Sequence, residues 1–364
     1  MVRRPASDDM RARLETLVNI ESPSGDVEGV RGVVDFVAEQ LADIGKVRMD
    51  ATKRGPILTV SRGQGGALLL GHSDTVWPKG TLKDMPYKDE GDWVYGPGTL
   101  DMKGGLVLAI EALRMLDGDT PFTLLVTPDE EVGSEMSRES IEREARLAPL
   151  VLVLEPGMPA GAIKVGRAGV GDFRLTITGI ESHAGLDPDK GASAIKELAH
   201  QVLWLHGLEN KVVSTTVNVG VVEGGTRSNV TAGRVEGRID VRVATAAEME
   251  RIKKTLKAPP RFDSRCQVRY QGGFNRPPME PNAKSQEWIN QAGEIWQSLT
   301  GESLVGVRVG GASDGNYTAR LTPTLDGLGP VGQGAHARTE GIEWRFMEPR
   351  ATLIAQLVAR AGTQ

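Results

Sequence analysis

Three short apolar runs in this chain each end in groups that bind metals or move protons. Ala67-Leu-Leu-Leu-Gly-His-Ser-Asp74 ends in His72 and Asp74, Phe122-Thr-Leu-Leu-Val-Thr-Pro-Asp-Glu-Glu131 ends in Asp129, Glu130 and Glu131, and Leu150-Val-Leu-Val-Leu-Glu155 ends in Glu155. His72 and Asp74 are two residues apart, so on an extended chain both side chains point to the same face. A carboxylate at that spacing can orient or support a metal-bound imidazole. Two adjacent glutamates gathered with other carboxylates repel one another unless a cation lies between them. Taken singly, each pattern is weak: His-x-Asp recurs by chance, and glutamate pairs usually face water. All three groups directly follow apolar runs, and metal ions explain that joint placement most economically.

The elements that would position these groups follow from the hydrophobic pattern. Ile57–Val60, Ala67–Leu70, Thr123–Val126 and Leu150–Leu154 are nearly continuous in apolar residues, as suits strands buried on both faces of a sheet. Helical stretches are expected at 8–18, 27–45, 103–116 and 137–147, the second carrying Val30, Val33, Val34, Phe36, Val37 and Leu41 on one stripe, with Gly45 as its stop signal. Strand–helix alternation of this kind predicts an α/β domain with helices on both sides of its sheet. In such sheets ligands bind beyond the carboxyl ends of the strands, where the three clusters fall.

The middle of the chain has a different character. Asp172-Phe-Arg-Leu-Thr-Ile-Thr178 alternates apolar and polar residues, the pattern of a sheet with one wet face. A helix at about 191–206, strands at 213–222 and 232–243, a helix at 246–257 and a strand at 267–271 complete a β-α-β-β-α-β order, the ferredoxin-like unit. After Arg276-Pro-Pro278 the α/β alternation returns, with helices at 283–299 and 348–361 and strands near 304–309 and 323–327. The expected organisation is a discontinuous first domain (1–167 and 277–364) interrupted by a smaller α+β domain (168–276).

Composition narrows the function. The 364 residues are 39% hydrophobic and 25% charged with a net charge of −5, which disfavours a nucleic-acid partner. Cys266 is the single cysteine, so a disulfide framework within the chain is impossible and a metal site would rely on histidine and carboxylate. Met1-Val-Arg-Arg-Pro-Ala6 leads into no apolar segment, and no apolar run approaches the roughly 20 residues that span a bilayer. A cytoplasmic protein is expected.

The ordered motifs His72-Ser-Asp-Thr-Val76, Gly96-Pro-Gly-Thr-Leu-Asp-Met-Lys-Gly-Gly105, Asp129-Glu-Glu-Val-Gly133, Glu155-Pro-Gly157, Ser182-His-Ala-Gly185 and Gly310-Gly-Ala-Ser-Asp314 resemble the M20 family of dizinc peptidases and deacylases. The likeness is strongest to its glutamate carboxypeptidase (carboxypeptidase G2-like) branch and runs from about residue 20 to residue 350. It implies an α/β catalytic domain with a lid that forms a homodimer. It also implies two zinc ions per chain, one on His72 and Glu155, the other on Glu131 and His336, with Asp101 bridging. Glu130 would be the general base acting on a water shared by the metals, the arrangement that lowers a water's pKa toward neutrality. The resemblance gives His183 the task of stabilising an oxyanion in a dimer partner's site, although an exposed loop histidine is the simpler reading of that residue alone. Asn229 and Arg242 match lid positions that hold a substrate carbonyl or carboxylate, an arginine fork being a natural carboxylate receptor. Gly310 and Gly311 would let backbone approach the substrate, with Asp314 as a structural companion. His200 and His206 are read as packing or surface residues, and Arg276 receives no role. The sequence departs from the family after His336, where Ala337 replaces a common serine, while Glu340 keeps its usual place. The implied reaction is release of a C-terminal amino acid, glutamate being a candidate, from a peptidyl or N-acyl substrate. Deacylation of an N-acyl amino acid of the acetylornithine or succinyl-diaminopimelate type is the alternative, and a zinc-stabilised binding protein without catalysis is the alternative from another class.

Overall fold

A computed structural model describes residues 7–363, so the N-terminal Met1–Ala6, with its expected lack of a targeting signal, lies outside them. No described helix is long and apolar enough to cross a membrane. The chain opens with α1 (Ser7–Val18) and α2 (Val27–Leu41), and Val30, Val33, Val34, Val37 and Leu41 form the buried stripe of α2. That helix stops at Leu41, short of Gly45. Gly45 N donates to the Leu41 carbonyl at 3.1 Å, closing the final turn, and a Cβ on Gly45 would come within 2.7 Å of Val60 Cγ1. Next comes β1 (Lys46–Thr52), a strand that the sequence did not announce because nearly all its side chains face water. Then follow β2 (Gly55–Arg62), β3 (Ala67–His72), β4 (Lys88–Asp89), β5 (Trp93–Tyr95), α3 (Gly104–Arg114), β6 (Phe122–Thr127), α4 (Arg138–Leu147), β7 (Val151–Val153) and β8 (Ile163–Arg167).

By its internal contacts the chain divides into two compact units. One comprises the residues up to Gly166, Glu280–Val309 and the residues from Ser313 onward; the other comprises Arg167–Met279 with Gly310–Ala312. The second unit is built from β9 (Gly169–Thr178), α5 (Ala194–His206), β10 (Thr216–Gly224), β11 (Arg234–Val243), α6 (Ala246–Lys257) and β12 (Gln267–Arg276). Its four strands form an antiparallel sheet in the order β10-β11-β9-β12, the ferredoxin-like arrangement. Phe173, Leu175 and Ile177 of β9 alternate into a core with Leu198 and Leu205 of α5 and Ile252 and Leu256 of α6. Helix α5 begins three residues later than the pattern suggested because Ser193 caps it, its Oγ accepting from Lys196 N at 3.2 Å.

The first unit is completed by α7 (Ala283–Thr300), β13 (Gly306–Val309), α8 (Gly315–Thr318), β14 (Thr324–Leu325), β15 (Gly332–Gln333), β16 (Gly341–Glu343) and α9 (Met347–Ala361). Its main sheet has the order β1-β2-β6-β3-β7-β14, with β6, β3, β7 and β14 mutually parallel and β2 antiparallel to both its neighbours, β1 and β6. Leu69, Leu124 and Leu152 pack into one core with residues of α1, α2, α3, α7 and α9, while Leu68, Leu70, Leu125 and Val153 pack against Ile141 of α4 and Tyr317 of α8. Each strand thus buries alternate residues on opposite faces, which explains the unbroken apolar runs. Because β3, β6 and β7 run parallel, their carboxyl ends share one edge, and the acidic and histidine clusters come with them. A second small antiparallel sheet, β15-β16-β5-β4, is made of strands of two or three residues.

Candidate metal centre

Strand β3 delivers His72 fully buried to the sheet edge. Its Nδ1 donates to the Asp74 carbonyl at 2.9 Å, with the Asp74 carboxylate Oδ1 at 3.4 Å. Nε2 then faces Asp101 Oδ1 at 3.1 Å and Glu155 Oε1 at 3.6 Å. The Asp74 carboxylate, also buried, accepts from Ser24 Oγ at 2.6 Å, from Glu130 N at 3.1 Å and from Glu131 N at 3.2 Å. Burial alone would push its pKa up; the hydrogen bonds from His72, Ser24 and the Glu131 amide bring it below the ordinary aspartate value.

Beyond β6 the chain makes a short 3-10 turn, Glu130–Val132, that carries both glutamates. Asp129 is committed to holding the following turn, accepting from Ser137 Oγ at 2.5 Å and Met136 N at 2.7 Å. Asp314 supports the same region, taking hydrogen bonds from Ser134 Oγ and, at 3.3 Å, from Thr127 Oγ1.

Asp101 lies in the loop between β5 and α3, entered through Gly98 at φ 76°, in the left-handed region that glycine favours. Its carboxylate spans two imidazoles: Oδ1 faces His72, and Oδ2 lies 3.5 Å from His336 Nε2. His336 Nε2 is also 3.4 Å from Glu131 Oε2. The β15–β16 hairpin presents His336 at φ 61°, a backbone conformation that costs a non-glycine residue about 1–2 kcal/mol. His72, Glu130 and Glu155 offer ligand atoms all within 4.8 Å of one another, as do His72, Asp101 and Glu131.

The electrostatics match a cation site. Burial disfavours a charged His72, but hydrogen bonds to Asp101, Asp74 and Glu155 outweigh it and lift the imidazole well above its usual pKa. Asp101 and Glu131 raise His336 to about 10. Burial would raise Asp101, yet the two histidines hold it below its ordinary value, whereas burial keeps Glu131 above its own. Glu131 Oε1 is buried without a hydrogen-bond partner among the described residues. A buried carboxylate oxygen left so is costly, and a cation would compensate it. Imidazole nitrogens and carboxylate oxygens in this number are the donor set that zinc accepts.

The remaining candidates lie in the second unit, with the other compact core. His183 is exposed, and its Nδ1 accepts from the amides of Gly185 and Leu186, both at 3.1 Å. With Nδ1 serving as an acceptor, the neutral ring carries its proton on Nε2 and can donate from there. The Asn229 carbonyl accepts from Ala184 N at 3.0 Å, tying the two motifs together. Arg242 gives Nε and Nη2 to Asp240 at 2.8 and 2.9 Å. Gly310 and Gly311 have open space where a Cβ would stand. His200 stacks on Phe262 and His206 lies 3.6 Å from Glu209, as befits packing and surface residues. Glu340, which the sequence marks only by its usual place after His336, is buried and accepts from four donors around the Asp101 loop.

Comparison with known proteins agrees with the motifs. Residues 68–360 match peptidase family M20/M25/M40. The chain is 30% identical over 367 residues to carboxypeptidase G2 from a Pseudomonas species, covering 96% of this chain and 88% of that protein. It is 26% identical over 373 residues to an acetylornithine deacetylase from Vibrio parahaemolyticus, covering 94% of each. Among solved structures, the aminopeptidase PepT from Bacillus cereus superposes with a TM-score of 0.83 at 22% identity, covering 98% of this chain and 99% of that one. An M20 family metallo-carboxypeptidase from Sulfolobus solfataricus superposes with a TM-score of 0.75 at 16% identity, covering 98% of this chain and 100% of that one. With a carboxylate spanning two imidazoles at the sheet edge and the family matched along most of its length, this chain is a metallohydrolase of peptidase family M20.

Proposed function

We propose that this metallohydrolase binds two zinc ions, one on His72 and Glu155 and one on Glu131 and His336 with Asp101 between them, and cleaves the amide bond before a C-terminal amino acid. The observation that carries this reading is the Asp101 carboxylate, whose two oxygens face different histidines at 3.1 and 3.5 Å. When bound, such a metal pair polarises a carbonyl and makes water nucleophilic at neutral pH. Glu130 is held by its own amide on Asp74 and is assigned no metal; it would take the proton from the attacking water and hand it to the leaving amine. His183 would donate from Nε2 to the oxyanion, in a dimer partner's site if the second unit pairs two chains. Asn229 and the Nη1 edge of Arg242 would receive the substrate's carbonyl and terminal carboxylate, and Gly310 and Gly311 would let the chain lie against it.

Glutamate is the first residue to test at the released position, since carboxypeptidase G2 is among the relatives. The acetylornithine deacetylase relatives favour a second reading with the same chemistry, removal of an acyl group from an N-acyl amino acid. The deciding experiment follows amine release by metal-stripped protein reloaded with zinc, over dipeptides and N-acyl amino acids ending in Glu, Asp, Ala, Leu and Lys, with N-acetylornithine included. Turnover that rises to a maximum at two zinc equivalents and prefers a C-terminal residue supports the carboxypeptidase reading. Preference for N-acetylornithine supports the deacylase. Zinc binding without turnover on any member rejects both.

A further inference from the structure

Four N–H donors converge on one buried carboxylate beside the centre. Glu340 Oε2 accepts from Trp77 Nε1 at 2.6 Å and Gly98 N at 2.9 Å, while Oε1 accepts from Leu100 N at 2.9 Å and Asp101 N at 3.0 Å. The side chain is fully buried and faces donors on both oxygens, which a carboxylate, an acceptor at every lone pair, suits better than any neutral side chain. Its neighbours in sequence are equally telling. Glu340 closes the turn that presents His336, its own amide donating to Ala337 O at 2.9 Å, and Gly341 starts β16, which pairs with β5. One residue therefore grips the loop that carries Asp101 and anchors the hairpin that carries His336.

We propose that Glu340 is a positioning residue that sets the spacing between Asp101 and His336 and thereby the second metal position. The inference rests on the dinuclear reading given above. His72 and Glu155 are held on β3 and just past β7 in the main sheet, independently of Glu340. Asp101 Oδ2 and His336 sit on loops whose common fixed point is the Glu340 carboxylate. The loss of Glu340 should therefore act on the two metal positions unequally. Partners that orient metal ligands in this way typically contribute about 10–100-fold in metal affinity.

Metal-stripped wild type, Glu340→Gln and Trp77→Phe are each titrated with zinc by calorimetry, with a chelator competition for tight equivalents and a melting curve on each metal-free protein. Gln has nearly the shape of Glu but turns an NH2 toward two N–H donors, so E340Q tests acceptor chemistry rather than volume. The expected result is a first equivalent within a few-fold of wild type and a second weakened about 10–100-fold. W77F, which keeps Glu340 and removes one donor, should weaken the same equivalent by less. Equal affinity of both equivalents in E340Q and wild type overturns the proposal, as does equal weakening of both. If E340Q does not fold, W77F decides: an unchanged second equivalent overturns the proposal. A wild type that takes only one equivalent rejects the dinuclear reading itself, an outcome separate from wild-type behaviour in the variants.

Discussion

His72 donates its Nδ1 proton to the main-chain carbonyl of Asp74 at 2.9 Å, nearer than the Asp74 carboxylate at 3.4 Å. The carbonyl thus fixes the tautomer that leaves Nε2 facing Asp101 and Glu155. The carboxylate, in turn, collects Ser24 and the amides of Glu130 and Glu131, so Asp74 ties the histidine strand to the glutamate turn.

From this it follows that Asp74→Asn should place an NH2 group against donors and disturb the glutamate turn. We expect kcat to fall about 10–100-fold with the fold retained. Steady-state kinetics beside a melting curve would check it; wild-type kcat would contradict the role given to Asp74.

Glu130→Gln removes the proposed base without removing a ligand of the proposed set. Loss of a general base typically costs about 10²–10⁴-fold in rate, and zinc stoichiometry should stay at the wild-type value. Full activity in this variant, measured on the best substrate of the panel, would sink the mechanism.

His183→Ala deletes the proposed oxyanion donor. A drop of about 10²–10³ in kcat is expected, with zinc affinity unchanged because His183 belongs to the other unit. Sedimentation of the wild type tests its trans role: a fully active monomer would reject it.

Metal uptake by stripped protein should release protons at pH 7.5. His336 with a pKa of about 10 is protonated there, and a ligand imidazole must be neutral. Zinc affinity therefore rises with pH up to that value and falls as the solution is acidified. Calorimetry in buffers of different ionisation enthalpy reads the count, and zero protons released would refute the assignment of His336.

A Cβ added at Gly105 would lie 2.4 Å from the Leu154 carbonyl, immediately before Glu155. Gly105→Ala must push α3 away from the β7 segment, and overpacking of this kind costs about 1–3 kcal/mol. Chemical denaturation should show the loss, and unaltered stability would mean the helix accommodates the methyl freely.

The elements that bury apolar stripes were legible: β3, β6 and β7 as unbroken runs, β9 as an alternating one, α2 and α5 by helical period. What escaped were the pieces whose stability comes from elsewhere in the chain. Strand β1 is mostly exposed and exists because β2 offers it a ladder. The β15-β16-β5-β4 sheet joins two- and three-residue strands from distant segments, too short to carry any period.

The same division runs through the metal centre. Residue types and their position after apolar strands determined by sequence alone that His72, Glu131 and Glu155 would gather, because parallel buried strands must end on a common edge. The tertiary structure decided what spacing along a chain cannot encode. Asp101 reaches both histidines only because its loop is folded around a carboxylate 239 residues further on, and His336 meets Glu131 only across a hairpin closed by that same glutamate. Those contacts depend on hydrogen-bond donors buried together when the chain folds, a condition that no local pattern records.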